Sequence, residues 1–358
     1  MQFFRGLTIR KKQSSSSASA ERRKKEQNYY LQNGSAVLEE FLALCDGNCR
    51  IPIRYFTATE IENAIKHSEN KMEQYSEVGI VTGSLDNRLV LVRFHRSCQL
   101  NIYRDIAITA QMSHLKNVLR LVGCCLEFEE PVMGDHKTRE SLSWGKRLRI
   151  ANEVASAIIF LHTGFTTPII YRDIKPHKVI IDQNSSVAKI VDFSLSISLP
   201  PGELEVQDGI LCGTFWYLDP EYASLGIVTH KTDVYNFGIL LFQLLTGKKS
   251  LDSMQSNIEE GNAMDRVDST IFKDPNLPTM VELYIKERDV IDIEDPTLLE
   301  QHGIEIRQQL EDYLDLVKRY ISSKGEDRPY MIHTSRQQEA SSNLFIDYTT
   351  SDGCLFWI

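Results

Sequence analysis

The stretch Ile170-Tyr-Arg-Asp-Ile-Lys-Pro-His-Lys178, with Asp192-Phe193-Ser194 further along, decides the fold of this chain. Asp173 is a carboxylate that could accept a proton from a hydroxyl group, and Asp192 is one that could bind a cation. Lys178 has three donors and no lone pair, so its ammonium group cannot coordinate a cation and would repel one. The stretch therefore predicts a catalytic frame whose set of metal ligands is incomplete.

The spacing of these residues resembles the catalytic loop of protein kinases, where His-Arg-Asp is followed after four residues by a magnesium-binding Asn and later by Asp-Phe-Gly. The resemblance implies an α+β, bilobal protein-kinase-like fold with a β-rich N-lobe and a mainly helical C-lobe. Asp173 then holds the position of the catalytic base, which we expect to be idle. Asp192 holds a metal-ligand position whose partner is lost to Lys178. Ser194 replaces a glycine whose freedom at positive φ lets that segment swing. A kinase that tolerates these changes is the alternative.

The phosphate-binding loop of a kinase needs glycines so that backbone N–H groups can approach the nucleotide. Counted back from Val90-Leu91-Val92-Arg93, those positions fall on Glu73, Tyr75 and Val78. We predict no phosphate cradle there, because the acidic side chain would repel a triphosphate and the tyrosine is bulky. The glycines nearby, Gly79 and Gly83, indicate the strand and turn of a β-hairpin.

Arg93 stands where kinases place the lysine that grips the phosphates, and its planar fork makes this exchange non-conservative. Counted from His114, the acidic partner of that lysine falls on Asp105. We predict that Arg93 and Asp105 form a bidentate ion pair, the remnant of an ATP site, that ties a helix to the sheet.

The connection between the lobes is short. A kinase would continue after Glu127 through a further strand, an adenine-binding hinge and a short helix, whereas this chain offers only residues 131–140. We therefore predict that this hinge is missing. The amphipathic pattern of a buried helix follows over 147–162.

The second half of the chain keeps the architectural motifs. Pro220-Glu221 stands for the Ala-Pro-Glu motif that ends an activation segment, here 192–221, and Asp233 precedes an apolar run that stops at Gly247. In the kinase pattern, the arginine at Arg328 pairs with the motif glutamate, Glu221. These three residues, Glu221, Asp233 and Arg328, are predicted to be structural.

The activation segment carries hydroxyl groups at Ser194, Ser196, Ser198 and Thr214. On an exposed strap these hydroxyls would be available for docking or modification. A passive loop is the equally weighted alternative.

The domain organisation follows from these motifs. We predict a disordered basic arm over 1–34, an N-lobe with a helical extension over 35–133, a C-lobe over 141–340 and an irregular tail over 341–358. The arm contains eight basic residues around a serine tract and is too polar to bury itself. A solvated tail is favoured over peripheral contact with anionic lipid.

Composition excludes several classes. The net charge of −9 gives no general affinity for nucleic acid, and the seven scattered cysteines suit reduced thiols. No apolar segment near the start has the length of a signal peptide. We expect a cytoplasmic protein, with at most peripheral contact at the plasma membrane.

A narrower resemblance is carried by Asn33-Gly34-Ser35, Gly123-Cys124-Cys125-Leu126-Glu127, Tyr171 to Pro176 and Asp192 to Pro200. These segments are similar to the ZRK family of plant cytoplasmic pseudokinases, relatives of the wall-associated kinases. The resemblance implies an inactive adaptor in innate immunity that bridges an intracellular leucine-rich-repeat receptor and a related cytoplasmic kinase, or acts as an effector decoy. Binding of ATP and magnesium is predicted to be absent or weak. A weak or atypical serine/threonine kinase, using Asp173 as base and Asp192 as metal ligand, is the alternative.

Overall fold

The computed structural model divides the chain into two compact units, residues 1–137 with 192–194, and residues 138–191 with 195–358. The part of the chain that it describes comprises 16–45, 53–66, 78–86, 88–95, 101–128, 132–135, 142–182, 185–214, 217–247, 280–286, 306–332 and the isolated positions 290, 295, 298, 356 and 357. The predicted glycine-loop positions Glu73 and Tyr75 lie outside these residues.

The described residues of the first unit form a four-stranded sheet and three helices. Its elements are α1 (Ser16–Cys45), α2 (Ala58–Ile65), β1 (Val78–Leu85), β2 (Arg88–His95), α3 (Ile102–Met112), β3 (Cys124–Cys125) and β4 (Val132–Asp135). The strands are antiparallel, in the order β1-β2-β4-β3. A core of buried apolar residues joins α2 to the sheet, among them Phe56, Ile61, Val90 and Val92.

Two expectations for this unit need correction. Gly79 and Gly83 both lie within β1, and the hairpin turns at Asp86, whose φ is 49°. Gly83 is small because α2 crosses here: a Cβ would sit 3.0 Å from the carbonyl oxygen of Ala64. The strand expected to be missing between the lobes is present as β4, and the residues that follow it, 136–141, lie outside the described part.

The predicted disordered arm is wrong from Ser16 onward, because α1 begins there. Arg22 pairs with Glu26 one turn along, at 2.6 Å, and with Glu62 of α2, at 3.0 Å. Pairs at i,i+4 and contacts to another helix stabilise a polar helix that composition alone would assign to disorder. The rings of Tyr30 and Tyr55 also meet edge to face.

The second unit is mainly helical. Its elements are α4 (Trp144–Thr163), β5 (Ile169–Ile170), β6 (Val179–Asp182), β7 (Val187–Ile190), β8 (Ile197–Ser198), β9 (Glu205–Gln207), α5 (Pro220–Leu225), β10 (Ile227–Thr229), α6 (His230–Thr246), α7 (Met280–Lys286), α8 (Arg307–Tyr320) and β11 (Phe356–Trp357). Small antiparallel pairs join β5 to β8, β9 to β10, and β6 to β7 and β11. Within the predicted irregular tail, the two described residues therefore form a short strand.

Helix α6 is the centre of the second unit. It packs against α4 and α8, and nearly all of its side chains are buried. Gly247 ends it with φ at 73°, a conformation that favours glycine. Among the described residues, no helix combines the length and the apolar character that crossing a bilayer requires. A unit built on an antiparallel sheet and a mainly helical unit confirm the predicted α+β fold class.

Candidate functional site

The catalytic loop lies between β5 and β6, and one carboxylate of α6 binds its backbone. Asp233 of α6 accepts hydrogen bonds from the backbone N–H groups of Tyr171, at 2.9 Å, and Arg172, at 2.8 Å. His162 Nε2 lies 2.8 Å from the same carboxylate. These bonds hold Arg172 at a φ of 69°, a conformation that non-glycine residues rarely adopt.

Asp173, the position of the catalytic base, is surrounded by donors. Its Oδ2 atom lies 2.9 Å from Lys175 Nζ and 3.3 Å from Lys178 Nζ, and its Oδ1 atom accepts a hydrogen bond from the Thr214 hydroxyl at 2.7 Å. The carboxylate is buried. A substrate hydroxyl that donates to Asp173 would compete with these groups, and the ammonium group of Lys178 would repel a magnesium ion.

In the first unit, Arg93 of β2 lies 3.3 Å from Asp105 of α3, measured from Nη1 to Oδ2. The predicted ion pair between β2 and α3 is therefore present. The other carboxylate oxygen, Oδ1, accepts hydrogen bonds from the Phe193 backbone N–H and the Thr109 hydroxyl, each at 3.0 Å. Arg93 is only 1% exposed. A phosphate could reach its guanidinium group only after rearrangement, which favours a structural role.

Asp192, the predicted metal ligand, is buried, and its carboxylate accepts a hydrogen bond from a residue two positions along the chain. The Ser194 hydroxyl donates to Asp192 Oδ1 at 2.5 Å. In this segment Asp192 has a left-handed backbone, with φ at 68°. Ser194 does not have a positive φ, so it does not need the conformational freedom of the glycine it replaces. The serine thus supplies a donor to the carboxylate. Across the described residues, no cluster of three or more His, Cys, Asp or Glu side chains could hold a metal ion.

The predicted exposure of the activation-segment hydroxyls is largely wrong. Ser194 and Ser196 are buried, at 3% and 4% exposure, and Ser198 is half-buried in β8, paired with Ile169. The hydroxyl of the half-buried Thr214 is bonded to Asp173. Burial was missed because sequence spacing does not show that β8 pairs with β5. The surface of the segment lies further along, over 200–211, where Leu204, Ile210 and Leu211 are exposed.

The predicted pair between Arg328 and Glu221 is also wrong. Arg328 Nη2 lies 2.7 Å from Asp219 Oδ1, whereas Glu221 Oε2 accepts the backbone N–H of Gly325 at 3.0 Å. Asp219 precedes α5 and its side chain is buried, which places its carboxylate beside the buried guanidinium group. Glycine at 325 leaves room for this carboxylate, because a Cβ there would lie 2.3 Å from Glu221 Oε2.

Two residues that make tertiary contacts were given no role by sequence analysis. The side chain of Asn33, in α1, donates to the backbone oxygens of Leu126, at 2.9 Å, and Phe128, at 2.8 Å, so it ties this helix to the segment after β3. Asp208, on the activation segment, forms an ion pair with Arg172. The sequence signal for Asp208 was its position as an acidic residue within 200–213, a stretch that has no hydroxyl side chain.

Comparisons with known proteins identify the family of this chain. The family model for the protein kinase domain matches residues 89–338. The serine/threonine-protein kinase ZRK1 of Arabidopsis thaliana is 31% identical over 335 residues, which cover 86% of this chain and 91% of the relative. From the same plant, the non-functional pseudokinase ZED1 is 33% identical over 282 residues, 68% of this chain and 81% of the relative. The non-functional pseudokinase ZRK2 is 30% identical over 341 residues, 88% and 90% of the two chains.

These matches extend over most of the chain and over both units. They include proteins named as kinases and proteins named as non-functional pseudokinases. The chain belongs to the protein kinase family and, within it, to the group of ZRK kinases and pseudokinases.

Proposed function

We propose that this chain is a catalytically inactive, kinase-fold adaptor in plant innate immune signalling. It would bridge an intracellular leucine-rich-repeat immune receptor and a related receptor-like cytoplasmic kinase, or act as a decoy for a pathogen effector. The observation that carries the loss of catalysis is the position of Lys178, whose ammonium group lies 3.3 Å from Asp173. The names of ZED1 and ZRK2 support the same conclusion.

Several parts of the phosphoryl-transfer machinery are lost or engaged. Lys178 replaces one magnesium ligand. The other ligand, Asp192, accepts a hydrogen bond from the Ser194 hydroxyl, and Arg93 is buried against Asp105. Phosphoryl transfer depends almost entirely on positioning and electrostatics, and each lost contribution typically costs a few kcal/mol. The losses together favour an inactive protein.

The alternative is a weak or atypical serine/threonine kinase. It is favoured by the retained carboxylates of Asp173 and Asp192 and by the name of ZRK1. The bonds of Asp233 to the catalytic loop explain why the loop keeps its shape without catalysis.

Nucleotide binding and transfer can be tested separately. We expect ATP with magnesium to leave the melting temperature of the purified chain unchanged, and radiolabel not to enter the chain or a substrate protein. Labelling that vanishes in Asp173→Ala would establish the kinase.

The variant Lys178→Asn restores the missing ligand type. Its matched control is Lys189→Asn, since Lys189 lies on β7 and contacts Asp182 at 3.5 Å. Stabilisation by magnesium and ATP in Lys178→Asn, and not in the control, would show that the lysine is the main barrier to nucleotide binding. No response in either variant would place the barrier elsewhere in the nucleotide site.

The partners require a binding experiment. We expect the folded chain to be captured by the leucine-rich repeats of a receptor from the same plant, and the catalytic variants to be captured equally well. Absence of binding by well-folded protein to a panel of such receptors would count against the adaptor. We propose a cytoplasmic location with peripheral membrane contact at most, which cell fractionation with and without high salt tests.

A further inference from the structure

The surface part of the activation segment cannot be phosphorylated on a hydroxyl. Residues 200–213 contain no serine, threonine or tyrosine. The hydroxyls on either side of this stretch are buried or half-buried, and that of Thr214 is bonded to Asp173. Kinases regulated by phosphorylation order this segment when a phosphorylated side chain pairs with arginine. In this chain, residues 200–213 offer no hydroxyl group that could be phosphorylated to form such a pair.

A carboxylate pairs with an arginine of the catalytic loop in this chain. Asp208 forms an ion pair with Arg172 Nη1, in which the two side chains are 17% and 8% exposed. The hydroxyl of Tyr222, in α5, lies 3.2 Å from Asp208 Oδ2, and the backbone N–H of Ile210 donates to Oδ1 at 3.3 Å. Three donors from three segments therefore converge on one carboxylate.

The surrounding contacts extend this connection in both directions. Arg172 Nε donates to the carbonyl oxygen of Leu195 at 2.5 Å, near the start of the segment. The Tyr222 hydroxyl accepts the backbone N–H of Cys212 at 2.9 Å, and the Asp208 N–H donates to the Gly226 oxygen at 2.8 Å. The catalytic loop, the segment and α5 are held together around Asp208.

We propose that Asp208 is a built-in substitute for an activation phosphate and holds residues 205–212 in place in the unmodified chain. A carboxylate carries one negative charge where a phosphate carries about −1.5 to −2. The additional donors from Tyr222 and Ile210 offset this difference. The exposed Ile210 and Leu211 lie within these residues, so their position does not depend on phosphorylation. This holds whether or not the chain transfers phosphate.

The test is hydrogen–deuterium exchange of the full-length chain, produced in bacteria and shown by intact mass to be unphosphorylated. We expect peptides over 205–212 to be protected in this protein, and to exchange about tenfold faster or more in Asp208→Asn, which keeps the shape and removes the charge. Glu205→Gln is the matched control, because Glu205 is an exposed acid on the same segment, and should exchange as the unmutated chain does.

Peptides of α4 show whether the unit itself is folded. If Asp208→Asn loses protection there as well, Tyr222→Phe removes one donor and keeps the ring, and should give a smaller local increase in exchange. Unchanged protection over 205–212 in a folded Asp208→Asn protein, or in Tyr222→Phe where that variant is needed, would overturn the proposal. So would protection that appears only after phosphorylation by an added kinase.

Discussion

Replacing Asp219 by asparagine tests the ion pair that joins α5 to the segment after α8. The side chains of Arg328 and Asp219 are 0% and 2% exposed, and their nearest atoms are 2.7 Å apart. Arg328 also donates to the carbonyl oxygens of Ser322, at 2.6 Å, and Lys231, at 3.0 Å. Asparagine keeps the size of the side chain and the oxygen that accepts from the Glu221 N–H, so the change removes little besides the charge.

The expected loss is large because a buried charge remains without its counter-charge. Removing one partner of a buried pair typically costs about 3–5 kcal/mol. For a unit of this size, that corresponds to a fall in melting temperature of roughly 6–20 °C. Glu221→Gln is the matched comparison: Glu221 accepts one backbone N–H, and glutamine keeps an acceptor, so we expect a loss of about 1 kcal/mol or less.

Thermal unfolding of the full-length variants, followed by circular dichroism, gives both values. The double variant Asp219→Asn with Arg328→Met should lose less than the sum of the two single changes, because it leaves no unpaired charge. A larger loss in Glu221→Gln than in Asp219→Asn would refute the reasoning and restore Glu221 as the partner of Arg328.

Two further predictions concern buried titratable groups. Burial, with the ring of His162 4.8 Å away, lowers the pKa of His230 to about 4, so protonation favours the unfolded chain. This contribution is complete above the ordinary pKa of about 6.5 and is lost as pH falls towards 4. Because the His230 ring is only partly buried and solvent screens its charge, the free energy of unfolding should drop by about 1 kcal/mol or less between pH 7 and 5, and by a smaller amount in His230→Gln. An equal drop in that variant, measured by urea unfolding, would contradict the assignment. Burial also raises the pKa of Cys124 and Cys125 to about 12. Iodoacetamide at pH 8 should therefore label the half-buried Cys212 before either of these two thiols, as peptide mass spectrometry would show. Equal labelling of the three thiols would contradict the burial of Cys124 and Cys125.

The long apolar patterns were predictable from the sequence. The periodicity over 147–162 lies within α4, and the run from Ile239 to Leu245 lies within α6. In both helices most side chains are buried, so the local pattern and the tertiary structure favour the same conformation. The counted position of Asp105 is correct for the same reason, because α3 is a regular helix.

Other features depend on contacts that spacing does not reveal. Helix α1 is polar, and the ion pair between Arg22 and Glu62 joins residues 40 positions apart. Strand β4 has only four residues, and its partner β2 defines it as a strand. Asp219 and Glu221 are carboxylates two positions apart, and only the direction of each side chain decides which one Arg328 contacts.

The kinase motif residues that this chain retains and those that it has lost differ in what they contact. Asp233 and Arg328 bind backbone groups of neighbouring segments, so their replacement would leave buried donors and acceptors unsatisfied whether or not a nucleotide binds. Position 178 differs, because an asparagine there would serve a metal ion and a lysine instead neutralises Asp173 within the protein. A kinase-fold chain that no longer binds nucleotide can therefore lose residues that serve the metal ion, such as the asparagine at 178, and keep residues that bind the backbone, such as Asp233 and Arg328. The contacts that hold the kinase scaffold together therefore do not depend on phosphoryl transfer.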